Sequence, residues 1–148
     1  MRAWALILLL AVAACSGMPR SLSWPVTGVV DGDTLRVRID TLPGELADVS
    51  VRVRGIDTPE RGQHANCARE RRLAEDALRF TKGALERAKL VEFRNLGWDK
   101  YGGRVLADVL LDGRPLSDML IAAGLARQYF GVGPKPNWCL PGRDEGRA

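Results

Sequence analysis

The sequence predicts a mainly β domain with helices (α+β), in which five short strands curl into a barrel and one long and one shorter helix pack on it. Three observations lead there. Apolar and polar residues alternate strictly in several short runs, one long stretch switches to helical spacing, and the resulting order is β-β-β-α-β-β-α. That order lacks the regular strand-helix alternation of a doubly wound sheet and suits a five-stranded OB-fold barrel.

Each element has its own signal. Val26, Gly28 and Val30 alternate with Thr27 and Val29; after the turn residues Asp31, Gly32 and Asp33, Leu35, Val37 and Ile39 alternate with Arg36, Arg38 and Asp40. These are two strands joined at an Asp-Gly turn. Beyond a break at Pro43 and Gly44, Val49, Val51 and Val53 face one side of a third strand, and Ser50, Arg52 and Arg54 the other. From Cys67 to Ala88 the spacing becomes helical, with Leu73, Ala77, Thr81, Ala84 and Ala88 on one stripe. Val91 and Phe93 suggest a fourth strand, and Arg104 to Leu111 a fifth. Asp112 and Gly113 turn the chain, Pro115 opens a second helix near its first position, and Gly124 stops it.

The two ends read differently from the middle. Residues 1–15 resemble an export signal: Arg2 precedes an unbroken apolar run from Ala3 to Ala14, too short for a membrane span. The run closes on Val12, Ala13, Ala14 and Cys15, which resembles the lipobox of bacterial lipoproteins and implies lipid on Cys15; ordinary cleavage near the Ala-Val-Ala stretch is the alternative. The expected location is the cell envelope, lipid-anchored and facing the periplasm, with Ser16 favouring the outer membrane, or secretion if Cys15 carries no lipid. Residues 16–24 read as a tether, 25–130 as one domain, and 131–148, rich in Gly and Pro, as an irregular tail. After Cys15 only Cys67 and Cys139 remain, and in an oxidising compartment such a pair is expected to bond; two unrelated thiols are the alternative.

Composition excludes several chemistries. With His64 as the single histidine, two-histidine phosphate cleavage, histidine metal cages and classical zinc fingers are out of reach, and three cysteines cannot build an all-cysteine zinc site. His64 itself, within Arg61-Gly62-Gln63-His64, reads as a solvated loop residue. The formal net charge of +4 is a weak attraction to polyanions, unlike a DNA-coating tail.

Three segments concentrate charge beside turns: Asp31-Gly32-Asp33-Thr34, Arg52 to Glu60, and Asp99-Lys100-Tyr101-Gly102-Gly103-Arg104. Each alone has a structural explanation, as a hairpin turn, a helix approach or a solvated strand face. Together, with Gly124-Leu125-Ala126 downstream, they resemble the staphylococcal nuclease (thermonuclease) family from about Val26 to Ala126. The resemblance implies one calcium ion held by Asp33, Asp57 and the main-chain carbonyl of Thr58, and an attacking water positioned by Glu60. It implies phosphate binding by Arg52 and Arg104, and contact with a terminal phosphate by Lys100 and Tyr101, with packing as the alternative for Tyr101. Asp31 is expected either to support the site or to serve only the turn. Tyr129 and Phe130 fall where the family has base-stacking aromatics, although core packing is the expectation here. Two departures stand out: two glycines precede Arg104 where the best-known member has one, and Arg54 replaces a usually apolar residue.

The chemistry agrees with this assignment. A hard cation takes six to eight oxygens, so two carboxylates and a carbonyl leave room for water and a phosphate oxygen. Charge grows on the phosphate's equatorial oxygens as water adds, and paired guanidinium forks supply fixed positive charge there. The resemblance therefore implies a calcium-dependent hydrolase of DNA and/or RNA, and a monomer with no obligate protein partner is expected. The alternatives are a catalytically weak nucleic-acid-binding or interaction OB-fold lipoprotein, and an envelope protein whose metal is only structural.

Overall fold

The computed structural model describes residues 21–100 and 102–140. The export signal, Cys15 and Tyr101 lie outside them. In chain order the elements are β1 (Val26–Asp31), β2 (Thr34–Arg38), β3 (Asp48–Val53), β4 (Ile56–Asp57), α1 (Ala68–Arg87), β5 (Val91–Trp98), β6 (Arg104–Leu111), β7 (Arg114–Pro115), α2 (Leu116–Ala122) and β8 (Arg127–Gln128). No helix among the described residues is long and apolar enough to cross a membrane.

The principal sheet runs in the order β1-β2-β3-β6-β5, with β3 and β6 parallel and the other neighbours antiparallel. Its inner face is the alternating set that periodicity selects: Leu35, Val37, Val51, Val53, Phe93, Val109 and Leu111 are buried in one cluster, roofed by Leu116 and Leu120 of α2. The sheet curls until its two ends meet. Ahead of β1, Leu22 exchanges backbone hydrogen bonds with Phe93 of β5 at 2.9 and 2.7 Å, and the Trp24 ring lies 5.2 Å from that of Phe93. Leu22 and Trp24, within the segment read as a tether, are thus part of the packed fold. The result is the OB-like curled sheet with two helices that the sequence predicts.

Local differences have physical causes. Register shifts in β1 break its alternation, so Val29 packs on the core while Val30 is exposed. On α1 the buried stripe is Glu70, Ala74, Ala77, Leu78, Thr81 and Ala84, rotated from the expected one so that Leu73 and Ala88 sit at its margin. Small residues line that stripe because the Asp31–Asp33 turn docks there. A Cβ on Gly32 would stand 2.7 Å from the Ala77 Cβ and 3.0 Å from Thr58 Cγ2, and Thr81 Oγ1 donates to the Gly32 carbonyl at 2.7 Å. Gly32 is there for close approach, without the positive φ of an ordinary Asp-Gly hairpin turn. Pro115 caps α2 from just outside it while pairing with Leu110, rather than occupying its first turn; Gly124, at φ +70°, ends the helix as expected.

Candidate functional site

The β1–β2 turn, the end of β3 and the loop into β4 converge on one cleft. Asp33, 1% exposed, closes the turn: its backbone N–H donates to Asp31 Oδ1 at 3.2 Å, and its carbonyl accepts from the Val53 N–H at 2.8 Å. Its carboxylate accepts from Thr34 Oγ1 (3.0 Å), from the Thr58 N–H (3.1 Å) and from Arg52 Nη1 (2.9 Å). Burial pushes the Asp33 carboxyl up to about 7; the Arg52 guanidinium opposes the rise and the Asp31 charge adds to it. Asp33 therefore favours either a proton or a cation beside it.

Sheet register places the arginines. Arg52 stands opposite Thr34 of β2 and Leu106 of β6, and Ser50 stands opposite Arg104, so Arg52 and Arg104 share one face of the sheet. Arg52 reaches a second buried carboxylate, Asp57, with Nη2 3.4 Å from Oδ1. Asp57 is held on β4, paired with Arg127 of β8, after a turn at Gly55 whose φ of +78° suits glycine. Glu60 follows on the rim, its side chain 40% exposed; its N–H donates to Glu70 of α1 at 3.3 Å, and Glu70 also accepts from the Asn66 N–H at 2.7 Å. Buried Glu70 thus fixes the loop that carries Glu60.

Arg104 opens β6, and its guanidinium lies 2.6 Å from Asp99 Oδ2. That oxygen has no partner of hydrogen-bond geometry, so charge rather than direction holds the guanidinium there. Consecutive glycines at φ +71° and +72° absorb the additional residue of this loop, and the Asp99 N–H still bonds the Arg104 carbonyl at 3.0 Å. Lys100 donates to the Gly131 carbonyl at 2.8 Å. Arg52, Glu60, Asp31, Lys100 and Arg104 all line one cleft of about 540 Å³. Arg54 borders the same cleft, but its guanidinium is already engaged: it donates to the Asn95 and Leu106 carbonyls and lies 3.5 Å from Asp108, tying the end of β3 to β5 and β6.

Residues 50–138 match the family of staphylococcal nuclease homologues, more than half of the chain. The chain belongs to that family. It is 36% identical over 111 residues to the SPbeta prophage-derived endonuclease YokF of Bacillus subtilis (strain 168), covering 74% of this chain and 35% of that protein. It is also 32% identical over 111 residues to endonuclease YncB of the same organism, covering 74% of this chain and 49% of the relative. The chain thus spans half or less of the curated relatives it matches.

Within this family frame, the segment after β8 contributes side chains that sequence reasoning left in an irregular tail. Lys135 Nζ lies 3.2 Å from Asp57 Oδ1 and 2.6 Å from Glu60 Oε1. Burial works against its charge, yet the hydrogen bond to Glu60 and the Asp57 carboxylate hold its pKa above the usual lysine value. Trp138, 3% exposed, donates its indole N–H to Asp57 Oδ2 at 3.2 Å. Cys67 and Cys139 are bonded, closing this segment onto the start of α1. The only advance signal for Trp138 was its place beside Cys139; for Lys135 there was none. Phe130, expected in the core, is 75% exposed and stands over Gly55 at the cleft, because α2 has already filled the barrel end with Leu116 and Leu120. Tyr129 is half-buried, its hydroxyl donating to the Gly133 carbonyl at 3.3 Å, and His64 is exposed as expected.

The donor set fits a hard cation. Asp33 and Asp57 share the Arg52 guanidinium and Asp57 and Glu60 share Lys135, so the donors near Arg52 are carboxylate oxygens. Among the described residues no three of these carboxylates lie close enough to grip one ion by themselves, which leaves coordination positions to a main-chain carbonyl, water and substrate. Oxygen donors with excess negative charge are what calcium takes.

Proposed function

We propose that this protein hydrolyses phosphodiester bonds of DNA or RNA in a calcium-dependent reaction. The observation that carries the reading is the pair of buried aspartates, Asp33 and Asp57, bridged by one guanidinium, with Glu60 on the rim beside them. Asp33 and Asp57, with the Thr58 carbonyl, would hold the ion, which when bound supplies fixed positive charge against a phosphate oxygen. Arg52, held by two carboxylates, is pre-aimed and presents a planar fork that suits phosphate oxygens better than a lysine would. Arg104, paired with Asp99 at the cleft, would exchange that carboxylate for a phosphate oxygen. Glu60, far more exposed than Asp33 and Asp57, positions the attacking water or accepts its proton. Phe130 offers an exposed ring on which a base can stack. The endonuclease names of the two relatives agree with this reading. For location we propose the cell envelope, with Cys15 as the lipid anchor.

The test is degradation of plasmid and single-stranded DNA and of RNA by the purified protein with calcium. Cleavage should stop with a chelator and return with calcium, and Glu60→Gln should abolish it while the melting temperature stays near that of wild type. Cleavage that survives chelation or Glu60→Gln would sink the mechanism; a folded protein that binds DNA without cutting it would make this an interaction module.

A further inference from the structure

We infer that Trp138 is a positioning residue for the metal ligand Asp57, and that the Cys67–Cys139 disulfide is what keeps it in place. The inference rests on the calcium reading above and adds a residue and a bond to it. Asp57 has two carboxylate oxygens with different neighbours: Oδ1 faces Arg52 at 3.4 Å and Lys135 at 3.2 Å, whereas Oδ2 accepts the Trp138 indole N–H at 3.2 Å. A fixed donor on Oδ2 stops the carboxylate from rotating and keeps Oδ1 turned towards Arg52 and Lys135, the two cations that line the cleft. Hydrogen-bonding a metal ligand from behind in this way sets both its orientation and its basicity.

Trp138 cannot hold this post by secondary structure, because residues 131–140 form neither helix nor strand. Three other restraints do so. Cys139, the next residue, is bonded to Cys67 across 72 positions of sequence. Arg69, in the first turn of α1, donates from Nη1 to the carbonyls of Trp138 and Leu140, both at 2.8 Å. Arg127, paired with Asp57 between β8 and β4, lies 4.5 Å over the indole ring and donates to the Asn137 carbonyl at 3.1 Å. The arginines orient a segment that the disulfide has already brought back. With the bond reduced, an otherwise irregular segment would have to stay ordered on side-chain contacts alone, against its conformational entropy.

The test is calcium binding by isothermal titration calorimetry to the full chain, well below the melting temperature, oxidised and reduced, for wild type and Trp138→Phe. Trp138→Phe should bind calcium roughly 10- to 100-fold more weakly than wild type, the usual cost of losing such a supporting hydrogen bond. Reduction should weaken wild type in the same direction and change Trp138→Phe little. A folded Trp138→Phe with wild-type affinity would overturn the inference, as would reduction that weakens both proteins equally. If Trp138→Phe fails to fold, Arg69→Ala and reduced wild type decide by the same isotherm, unchanged affinity in both being fatal. Oxidised wild type that binds no calcium would bring down the metal reading together with this one; wild-type binding that Trp138→Phe shares brings down only this one.

Discussion

The two walls of the cleft are built in opposite ways. The wall carrying Asp33 is a tight turn between paired strands, its glycine pressed against α1 and its aspartate held by three donors. The wall carrying Lys135 and Trp138 has no regular structure and hangs on a disulfide and two arginines. Asp57 lies between them and is touched from both sides. The difference teaches that one half of the site is held by the packing of the barrel itself, whereas the other half depends in addition on a covalent bond.

The largest expected effect comes from the group that spans the first wall. Arg52→Ala should lower kcat by about two to three orders of magnitude, roughly 3–4 kcal/mol, and Arg52→Lys should recover little of it, as measured by initial rates on single-stranded DNA. Breaking the second wall should be felt in stability as well as in calcium affinity: Cys139→Ser should cost about 2–4 kcal/mol in denaturant unfolding, and reduced wild type should match it. If the substitution left the unfolding midpoint unchanged, the contrast between the walls would fail. On the first wall, Gly32→Ala must displace Ala77 or Thr58 and should cost about 1–3 kcal/mol by the same measurement. Its companion Ala77→Gly should recover part of that loss, because the two Cβ atoms are the ones that collide. The smallest effect should be that of Arg54→Ala, whose half-exposed ion pair to Asp108 is worth at most about 1 kcal/mol. Its rate should stay near that of wild type, and a hundredfold loss would instead place Arg54 on the phosphate.

Much of this was legible in the chain itself. Val51 and Val53 alternate with Arg52 because a strand sends successive side chains to opposite faces, so one pattern reports both the core and the arginine at the site. The acidic motif positions were equally open to reading, since Asp31 and Asp33, and Asp57 and Glu60, form two short clusters beside turns. Less legible was anything that depended on what a face meets. Register shifts in β1 sent Val29 inward and Val30 outward, and the approach of α1, rather than turn geometry, is the reason for glycine at position 32. Arg54 shares its strand parity with Arg52, yet the neighbouring β5 and β6 carbonyls capture it.

By itself, then, the sequence determined the strand and helix order, the curled sheet and the family, because periodicity and short motifs are local properties. Only the tertiary structure decided that the tail returns to the site. Lys135 meets Glu60 across 75 positions and Trp138 meets Asp57 across 81, and contacts that distant leave no periodic trace in the chain that makes them.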